Sequence, residues 1–129
     1  MKERTYCLFL VDDNCINLIV GRSVLQEKYS VLTILSGEKL FSTMKKTRPD
    51  MILLDINMPG MNGYDVIKEL KAVPETKDIP VIFLTGETDP VNERMGRSLG
   101  AIDYILKPFN PQQLLEKIGL YFRTHKTEP

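Results

Sequence analysis

The sequence predicts an α/β protein in which a parallel sheet is covered by helices on both faces. Five short apolar runs, typical of buried strands, alternate along the chain with stretches whose apolar residues recur at helical spacing. Strands and helices that alternate in this way form doubly wound sheets with right-handed crossovers. Neither a repeat nor a linker interrupts the alternation, so we expect a single domain.

The predicted elements follow one another at short intervals. The strands are Tyr6–Val11, Ser30–Leu35, Met51–Leu54, Val81–Leu84 and Asp103–Leu106. The helices run from Asn14 to about Lys28, from Gly37 to Thr47, over Tyr64–Ala72, from about Asp89 to Leu99, and onward from Pro111. In the fourth helix, Val91, Met95 and Leu99 lie four residues apart, and this spacing predicts that they face the core.

Composition restricts the class of protein. Lys and Arg number 17 and equal the 17 Asp and Glu, so no net field attracts the molecule to nucleic acid or anionic lipid. The apolar runs are too short for a bilayer span. Cys7 and Cys15 are too far apart for a C-x-x-C pair, and we expect both to be reduced, with Cys7 in the core. These observations predict a cytosolic protein.

Reactive side chains follow four of the five predicted strands. The first strand is followed by Asp12 and Asp13, the third by Asp55, the fourth by Thr85 and the fifth by Lys107. Sites in open parallel sheets form outside the carboxyl ends of the strands, where the strand order reverses. If the order is 2-1-3-4-5, three carboxylates converge at that point with a hydroxyl and an ammonium group nearby.

Three carboxylates in one pocket repel one another unless a cation compensates their charge. Mg²⁺ prefers oxygen ligands and commonly uses one or two carboxylates, which suits Asp13 and Asp55, with Asp12 acting through water. A transition metal is disfavoured because the single histidine, His125, lies in the tail. With a cation bound, Asp55 could act as a nucleophile toward phosphorus, while Lys107 and Thr85 contact the phosphoryl oxygens.

Four segments of the chain resemble the receiver domains of two-component response regulators. They are Val11-Asp12-Asp13-Asn14, the run DINMPGMNG from Asp55 to Gly63, Leu84-Thr85-Gly86, and the run GAIDYILKPF from Gly100 to Phe109. The resemblance covers roughly residues 5–124 and implies a flavodoxin-like sheet of order 2-1-3-4-5. Residues 125–129 would then be a tail or the start of a linker.

The resemblance also implies a role for each matched residue. Asp55 would be the phosphoryl acceptor, and Mg²⁺ would be held by Asp12, Asp13, Asp55 and the backbone carbonyl of Asn57. Thr85 and Lys107 would bind phosphoryl oxygens, with the Lys107-Pro108 peptide in the cis form. Tyr104 matches the switch aromatic, whose ring turns inward when Thr85 moves and alters the surface of helix four, strand five and helix five.

The function that the resemblance implies is a phosphoacceptor switch in a phosphorelay. It is a regulatory domain rather than an enzyme, limited to self-catalysed phosphotransfer and slow autodephosphorylation. Its phosphodonor would be a histidine kinase or a histidine phosphotransfer protein, and an output domain, an effector protein or a phosphorylation-dependent homodimer are candidate partners. The residues two beyond Asp55 and Thr85, namely Asn57 and Glu87, would tune the phosphoryl lifetime. The 129 residues of this sequence contain no basic module for direct binding of nucleic acid, and no membrane partner is expected.

Three other functions would use some of the same residues. A Mg²⁺ phosphatase that uses Asp55 as nucleophile is disfavoured, because Asn57 stands where that family places a general acid and cannot transfer protons. A flavin carrier is disfavoured because Asp12 and Asp13 would repel the cofactor phosphate. A receiver that is never phosphorylated and serves only as an interaction module remains open, although the full set of site residues argues against it.

Overall fold

The sheet has five parallel strands, as the sequence pattern predicted, in the order β2-β1-β3-β4-β5 that the family resemblance implied. A computed structural model describes residues 5–86 and 90–125. Its strands are β1 Cys7–Val11, β2 Ser30–Ile34, β3 Met51–Asp55, β4 Val81–Thr85 and β5 Asp103–Leu106. Strands β3 and β4 lie inside the sheet and are buried along their whole length, as expected from the apolar runs that precede Asp55 and Thr85.

Five helices alternate with these strands. They are α1 Cys15–Leu25, α2 Gly37–Met44, α3 Gly63–Ala72, α4 Pro90–Ser98 and α5 Pro111–Thr124. Asparagine or serine side chains cap four of them, because a side-chain oxygen accepts the N–H groups that a first helical turn leaves unpaired. The caps are Asn14, Ser36, Asn62 and Asn110. The predicted start of the fourth helix at Asp89 lies outside the described residues.

The helices divide between the two faces of the sheet. On one face, Leu40 of α2 and Val66 of α3 pack with Phe9, Ile52 and other residues of the sheet. On the other face, the residues from α1 and α5 that pack with the strands are Leu18, Leu25, Leu114, Ile118 and Phe122. Both cysteines are free, as predicted, but Cys7 is only partly buried at the border of the first cluster.

The register of the central strands brings two acidic side chains together. Val11 of β1 is paired with Leu54 of β3, so the next residues, Asp12 and Asp55, lie side by side at the carboxyl end of the sheet. Strand β1 also pairs with β2, and the order therefore reverses between β1 and β3. The crevice above this reversal is where ligands bind in sheets of this class.

Helix α1 turns large aliphatic residues to solvent. Ile16 is 70% exposed and Ile19 68% exposed, while Leu18, Gly21 and Leu25 are buried. The reason is that the helix approaches β1 closely at Gly21, where a Cβ atom would lie 2.7 Å from Leu10 Cδ2. The glycine therefore selects the buried face, and the larger aliphatic residues remain outside.

The expectation that Val91, Met95 and Leu99 form a core stripe is wrong for Val91 and Met95, whereas Leu99 packs against the core. Val91 is 63% and Met95 42% exposed, and Leu99 is only partly buried. Gly96 is the buried residue of α4, and it contacts the ring of Tyr104 instead. As in α1, the closest approach of the helix to the sheet is at a glycine rather than at the aliphatic residues.

The exposure of the α1 residues predicts a contrast in stability. Leu25→Ala removes a fully buried side chain and should lower the free energy of unfolding by roughly 2–5 kcal/mol. Ile19→Ala, on the same helix, should change it by no more than about 0.5 kcal/mol. Denaturant unfolding of both variants measures the difference, and an equal loss in the two would contradict this orientation of α1.

Candidate functional site

Three aspartates converge at the reversal of strand order. Asp12, Asp13 and Asp55 each offer a carboxylate oxygen, and these oxygens lie within 4.8 Å of one another. Asp12 and Asp55 are buried, whereas Asp13 is exposed. The pocket therefore has an acidic floor and one acidic side chain at its opening to solvent.

Lys107 is the cation of this pocket. Its Nζ atom lies 2.9 Å from Asp55 Oδ1 and 3.3 Å from Asp12 Oδ2. The backbone N–H of Lys107 donates to the Thr85 carbonyl at 2.7 Å, which fixes the residue just beyond β5. The Lys107-Pro108 peptide is cis, as the resemblance implied. One ammonium group thus contacts two of the three carboxylates.

Burial and charge raise the pKa of Asp55 to about 6, from an ordinary value of 3.8. Desolvation is the main cause, and the Asp12 charge adds to it, while the hydrogen bonds from Lys107 and the Asn57 N–H act in the opposite direction. Burial alone would lower the pKa of Lys107, but hydrogen bonds and charges from Asp55 and Asp12 raise it. The pocket is therefore short of positive charge, even with Lys107 present.

The donor atoms of the pocket suit a hard divalent cation. Carboxylate oxygens are ligands that Mg²⁺ prefers, and the cation would relieve the desolvation and the repulsion that raise the pKa of Asp55. The single histidine, His125, lies far from this pocket. It follows α5, stacks on Tyr121 and lines a cavity with Pro80 at the opposite end of the sheet. The pocket thus offers oxygen ligands without imidazole, and this composition disfavours zinc or copper.

Asp12 is held in place by α1. Its Oδ1 atom accepts the Asn14 N–H at 2.9 Å, and its Oδ2 atom accepts the Asn17 amide at 3.2 Å. The sequence did not predict a role for Asn17, because an asparagine within a helix indicates no particular contact. A polar residue one turn after a helix cap that follows an acidic pair is the signal that could have identified it.

The loop after β3 packs tightly behind Asp55. The Gly63 N–H donates to the Ile56 carbonyl at 2.8 Å, and a Cβ atom at position 63 would lie 2.7 Å from the Asp55 carbonyl oxygen. The turn before it uses Gly60 at a φ of 75°, a conformation that favours glycine. The start of α3 therefore lies against the end of β3, and Asn57 lies between them in the loop.

Thr85 and Tyr104 lie beyond the acidic pocket on neighbouring strands. Thr85 is buried at the end of β4, and Leu84 pairs with Asp55 in the adjacent strand. Tyr104 of β5 is also buried, and its hydroxyl donates to the Asn92 carbonyl at 3.0 Å. Desolvation, with the neighbouring Tyr64 and Glu93, raises the pKa of Tyr104 to about 12. The ring therefore lies inward, under α4. Glu87 lies outside the described residues.

A family model of the response regulator receiver domain matches residues 8–119 of this sequence. The chain belongs to the response regulator receiver domain family. The flavodoxin-like fold is confirmed with it, and so is the regulatory place of the domain in two-component signalling.

Known proteins of this family share about a third of the residues. The chain is 35% identical to the DNA-binding response regulator MtrA of Mycolicibacterium paratuberculosis, over 100% of this chain and 55% of that protein. It is 34% identical to the probable cyclic di-GMP phosphodiesterase of Vibrio cholerae, over 99% of this chain and 29% of that protein. The structure of the Vibrio cholerae chemotaxis protein CheY4 superimposes with a TM-score of 0.83 at 31% identity, covering 91% of this chain and 98% of that one.

The chain thus spans 55% or less of these two curated relatives. The match leaves the rest of each relative without an aligned segment of this chain. Separately, none of the helices that the structure describes combines the length and the apolar character needed to span a lipid bilayer.

The raised pKa of Asp55 predicts how stability depends on pH. Between pH 3.8 and about 6 the native protein binds more protons at this site than the unfolded chain does, so burial of Asp55 costs stability as pH rises through that window. Asp55→Asn should therefore be no more stable than the wild type near pH 3.5. Above about pH 6.5 the free energy of unfolding of the variant should exceed that of the wild type by roughly 2–3 kcal/mol, since each pKa unit is worth about 1.4 kcal/mol.

Denaturant unfolding of both proteins across this range, without divalent cations, measures the difference. In the variant Lys107 keeps Asp12 as a charged partner, so the comparison does not leave its ammonium group unpaired. A difference in stability that does not change with pH would contradict the raised pKa.

Proposed function

We propose that this receiver domain, residues 5–124, is a phosphorylation switch that accepts a phosphoryl group on Asp55 with Mg²⁺. The observation that carries the proposal is a buried carboxylate that lies 2.9 Å from an ammonium group and within 4.8 Å of two further carboxylates. A structural ion pair does not require the extra acids. A divalent cation would neutralise the charge that they add, and it would also attract the oxygens of a phosphoryl group.

The chemical step is a displacement at phosphorus. A carboxylate oxygen of Asp55 attacks the phosphorus of a phosphohistidine and forms a P–O bond while the P–N bond breaks, and the electron pair of that bond leaves on the imidazole nitrogen. The Lys107 ammonium group, already at Asp55, would bind an oxygen of the phosphoryl group. The hydroxyl of Thr85, at the end of the neighbouring strand, would donate a hydrogen bond to another phosphoryl oxygen.

Mg²⁺ would be held by Asp13, Asp55 and the Asn57 backbone carbonyl, with Asp12 acting through water. When bound, the cation supplies charge neutralisation at the phosphoryl oxygens. Asn14 and Asn17 would keep Asp12 oriented toward it through their hydrogen bonds. Asn57 and Glu87 are the residues that we expect to tune the lifetime of the aspartyl phosphate, which the domain loses by slow autodephosphorylation.

Phosphorylation would be signalled through Thr85 and Tyr104. A hydroxyl drawn toward the new phosphoryl group would favour the inward ring of Tyr104, and so shift the population of two existing states of the surface formed by α4, β5 and α5. We propose this surface as the contact for an output domain, an effector protein or a second phosphorylated copy. Exposed Val91, Met95 and Leu106 give it apolar area.

The phosphodonor would be a histidine kinase or a histidine phosphotransfer protein in the cytoplasm. The exposed aliphatic residues of α1 support a docking face for such a partner: Ile16, Ile19 and Val20 lie on the helix that begins two residues after Asp13. An apolar patch at the edge of a charged pocket suits a protein that must bring one reactive side chain to Asp55.

Intact mass after incubation with Mg²⁺ and acetyl phosphate tests the acceptor. The wild type should gain one phosphoryl group, and a chelator should abolish the gain because the acidic pocket then lacks its cation. Asp55→Asn should gain none. Asp78→Asn is the matched control, since this exposed aspartate precedes β4 at the opposite end of the sheet and should not affect the gain.

The same mass gain in Asp55→Asn would contradict the assignment of the acceptor. No gain in the wild type, with acetyl phosphate and with several phosphohistidine proteins as donors, would favour a receiver that serves only as an interaction module.

The α1 face predicts a separation between two kinds of phosphodonor. Ile19→Lys should slow phosphotransfer at least about tenfold from any phosphohistidine protein that reacts with the wild type, because a charge replaces apolar contact area. Its reaction with acetyl phosphate should not change, since Ile19 does not line the pocket. Leu120→Lys, at an exposed aliphatic residue of α5, is the control and should leave both reactions unchanged. Equal slowing by the two variants would contradict docking on α1.

A further inference from the structure

Gly96 leaves space for the ring of Tyr104. A Cβ atom built on Gly96 would lie 1.7 Å from the Tyr104 hydroxyl oxygen, 2.8 Å from Tyr104 Cζ and 3.0 Å from Phe83 Cε2. Real Cβ atoms essentially never approach other heavy atoms within 3.0 Å. No side chain fits at position 96 while the Tyr104 ring has its present position.

Several contacts hold the ring in this space. The Tyr104 hydroxyl donates to the Asn92 carbonyl, one turn before Gly96 in α4. The ring packs at a tilt against Phe83, with 5.5 Å between centroids, and the Arg97 guanidinium lies 5.8 Å from its centre. Arg97 in turn pairs with Asp103, the residue before Tyr104. Helix α4 therefore binds the tyrosine on both sides of the glycine.

The helical position of Gly96 requires an explanation, since glycine is less favourable than alanine inside a helix. Gly119 of α5 offers a comparison: a Cβ atom there would meet only the end of the flexible Arg123 side chain, at 3.1 Å. In the described part of α4, the tyrosine ring is the principal neighbour that excludes a side chain from position 96.

A second space lies on the outer side of the ring. A groove of about 210 Å³ between α4 and α5 is lined by Tyr104 together with Arg97, Leu106, Gln113 and Lys117. A ring that is excluded from the inner space can turn about its χ1 and χ2 angles into this groove, which is open to solvent.

We propose that Gly96 is a positioning residue for Tyr104: the missing side chain admits the ring to its inward position under α4, and any larger residue would displace the ring into the outer groove. The geometric part of this inference stands on the contacts alone. Its consequence for signalling rests on the proposed function, because only there does the ring position report phosphorylation of Asp55.

A double-mutant cycle tests the contact. Gly96→Ala is made in proteins that carry Tyr104, Tyr104→Phe or Tyr104→Ala, and unfolding is measured by denaturant. The loss in the free energy of unfolding caused by Gly96→Ala should be largest when residue 104 is tyrosine. It should be smaller with phenylalanine, which lacks the hydroxyl oxygen closest to residue 96, and absent with alanine. The effect on the unfolding equilibrium constant should differ by about tenfold or more between the tyrosine and alanine backgrounds.

Gly119→Ala is the control for helix propensity and should have the same effect in all three backgrounds. Because the measurement is a difference between backgrounds, a general stabilising or destabilising effect of alanine in α4 cancels. Equal effects of Gly96→Ala in the three backgrounds would overturn the proposal.

Ring position can be measured directly with ¹³C-labelled tyrosine, the Tyr104 signal being assigned from its absence in Tyr104→Phe. The wild type should show a nuclear Overhauser effect between the ring and the Gly96 α protons. In Gly96→Ala the ring should instead show contacts to Gln113 or Lys117. A Tyr104 signal that keeps its position and its contacts to residue 96 in the variant would overturn the proposal.

Intact mass with Mg²⁺ and acetyl phosphate separates this inference from the proposed function. Gly96→Ala should gain one phosphoryl group as the wild type does, while its Tyr104 signal no longer responds to phosphorylation. Loss of the mass gain in the variant alone would overturn the positioning role, since Gly96 would then act on the acceptor pocket. Absence of the gain in both proteins, with acetyl phosphate and with phosphohistidine donors, would refute the acceptor role of Asp55, while the double-mutant cycle would still decide the contact between Gly96 and Tyr104.

Discussion

The contact between the Lys107 ammonium group and the carboxylates of Asp55 and Asp12 connects the parts of this molecule. Lys107 follows the edge strand β5, whereas Asp55 ends β3 and Asp12 follows β1. One side chain therefore reaches across the end of β4. That reach requires parallel strands that end at the same level. The paired register, with Asp55 opposite Leu84 and Thr85 opposite Leu106, provides it.

This arrangement costs stability, because a carboxylate is buried close to a second one. A single ammonium group only partly offsets the burial of Asp55 and the repulsion from Asp12, and the pKa of Asp55 rises to about 6 as a result. The apolar sheet around Asp55 offsets this loss of stability. Strands β3 and β4 are buried throughout, and Phe9, Leu10 and Val11 leave almost no surface exposed. A rigid core thus keeps together charges that would otherwise separate, and it leaves them able to gain stability from an added cation.

The sequence predicted the elements that depend on local pattern and failed where distant contacts decide. Buried parallel strands are recognisable as apolar runs, and their common end implies that Asp12, Asp13, Asp55 and Lys107 lie together. Periodicity alone did not indicate which side of a helix faces the sheet. In α1 and α4 the closest approach is at Gly21 and Gly96, so aliphatic residues such as Ile19 and Val91 lie outside. Asn17 was missed for a different reason: its contact with Asp12 is local, but an asparagine inside a helix does not by itself indicate a hydrogen bond to a preceding acid.

The course of β4 explains how the acidic pocket and the Tyr104 ring can influence each other. Phe83 and Thr85 are two residues apart in this strand, so their side chains point to the same face of the sheet. Phe83 contacts Tyr104 on one side and Tyr64 of α3 on the other, with 5.5 Å between the ring centroids in each pair. Asp55, one strand away, is backed by the start of α3, which also carries Tyr64. Under the proposed function, a displacement of Thr85 toward Asp55 would act on the face where Tyr104 packs. A close-packed row of rings would transmit it, because such packing has few intermediate arrangements.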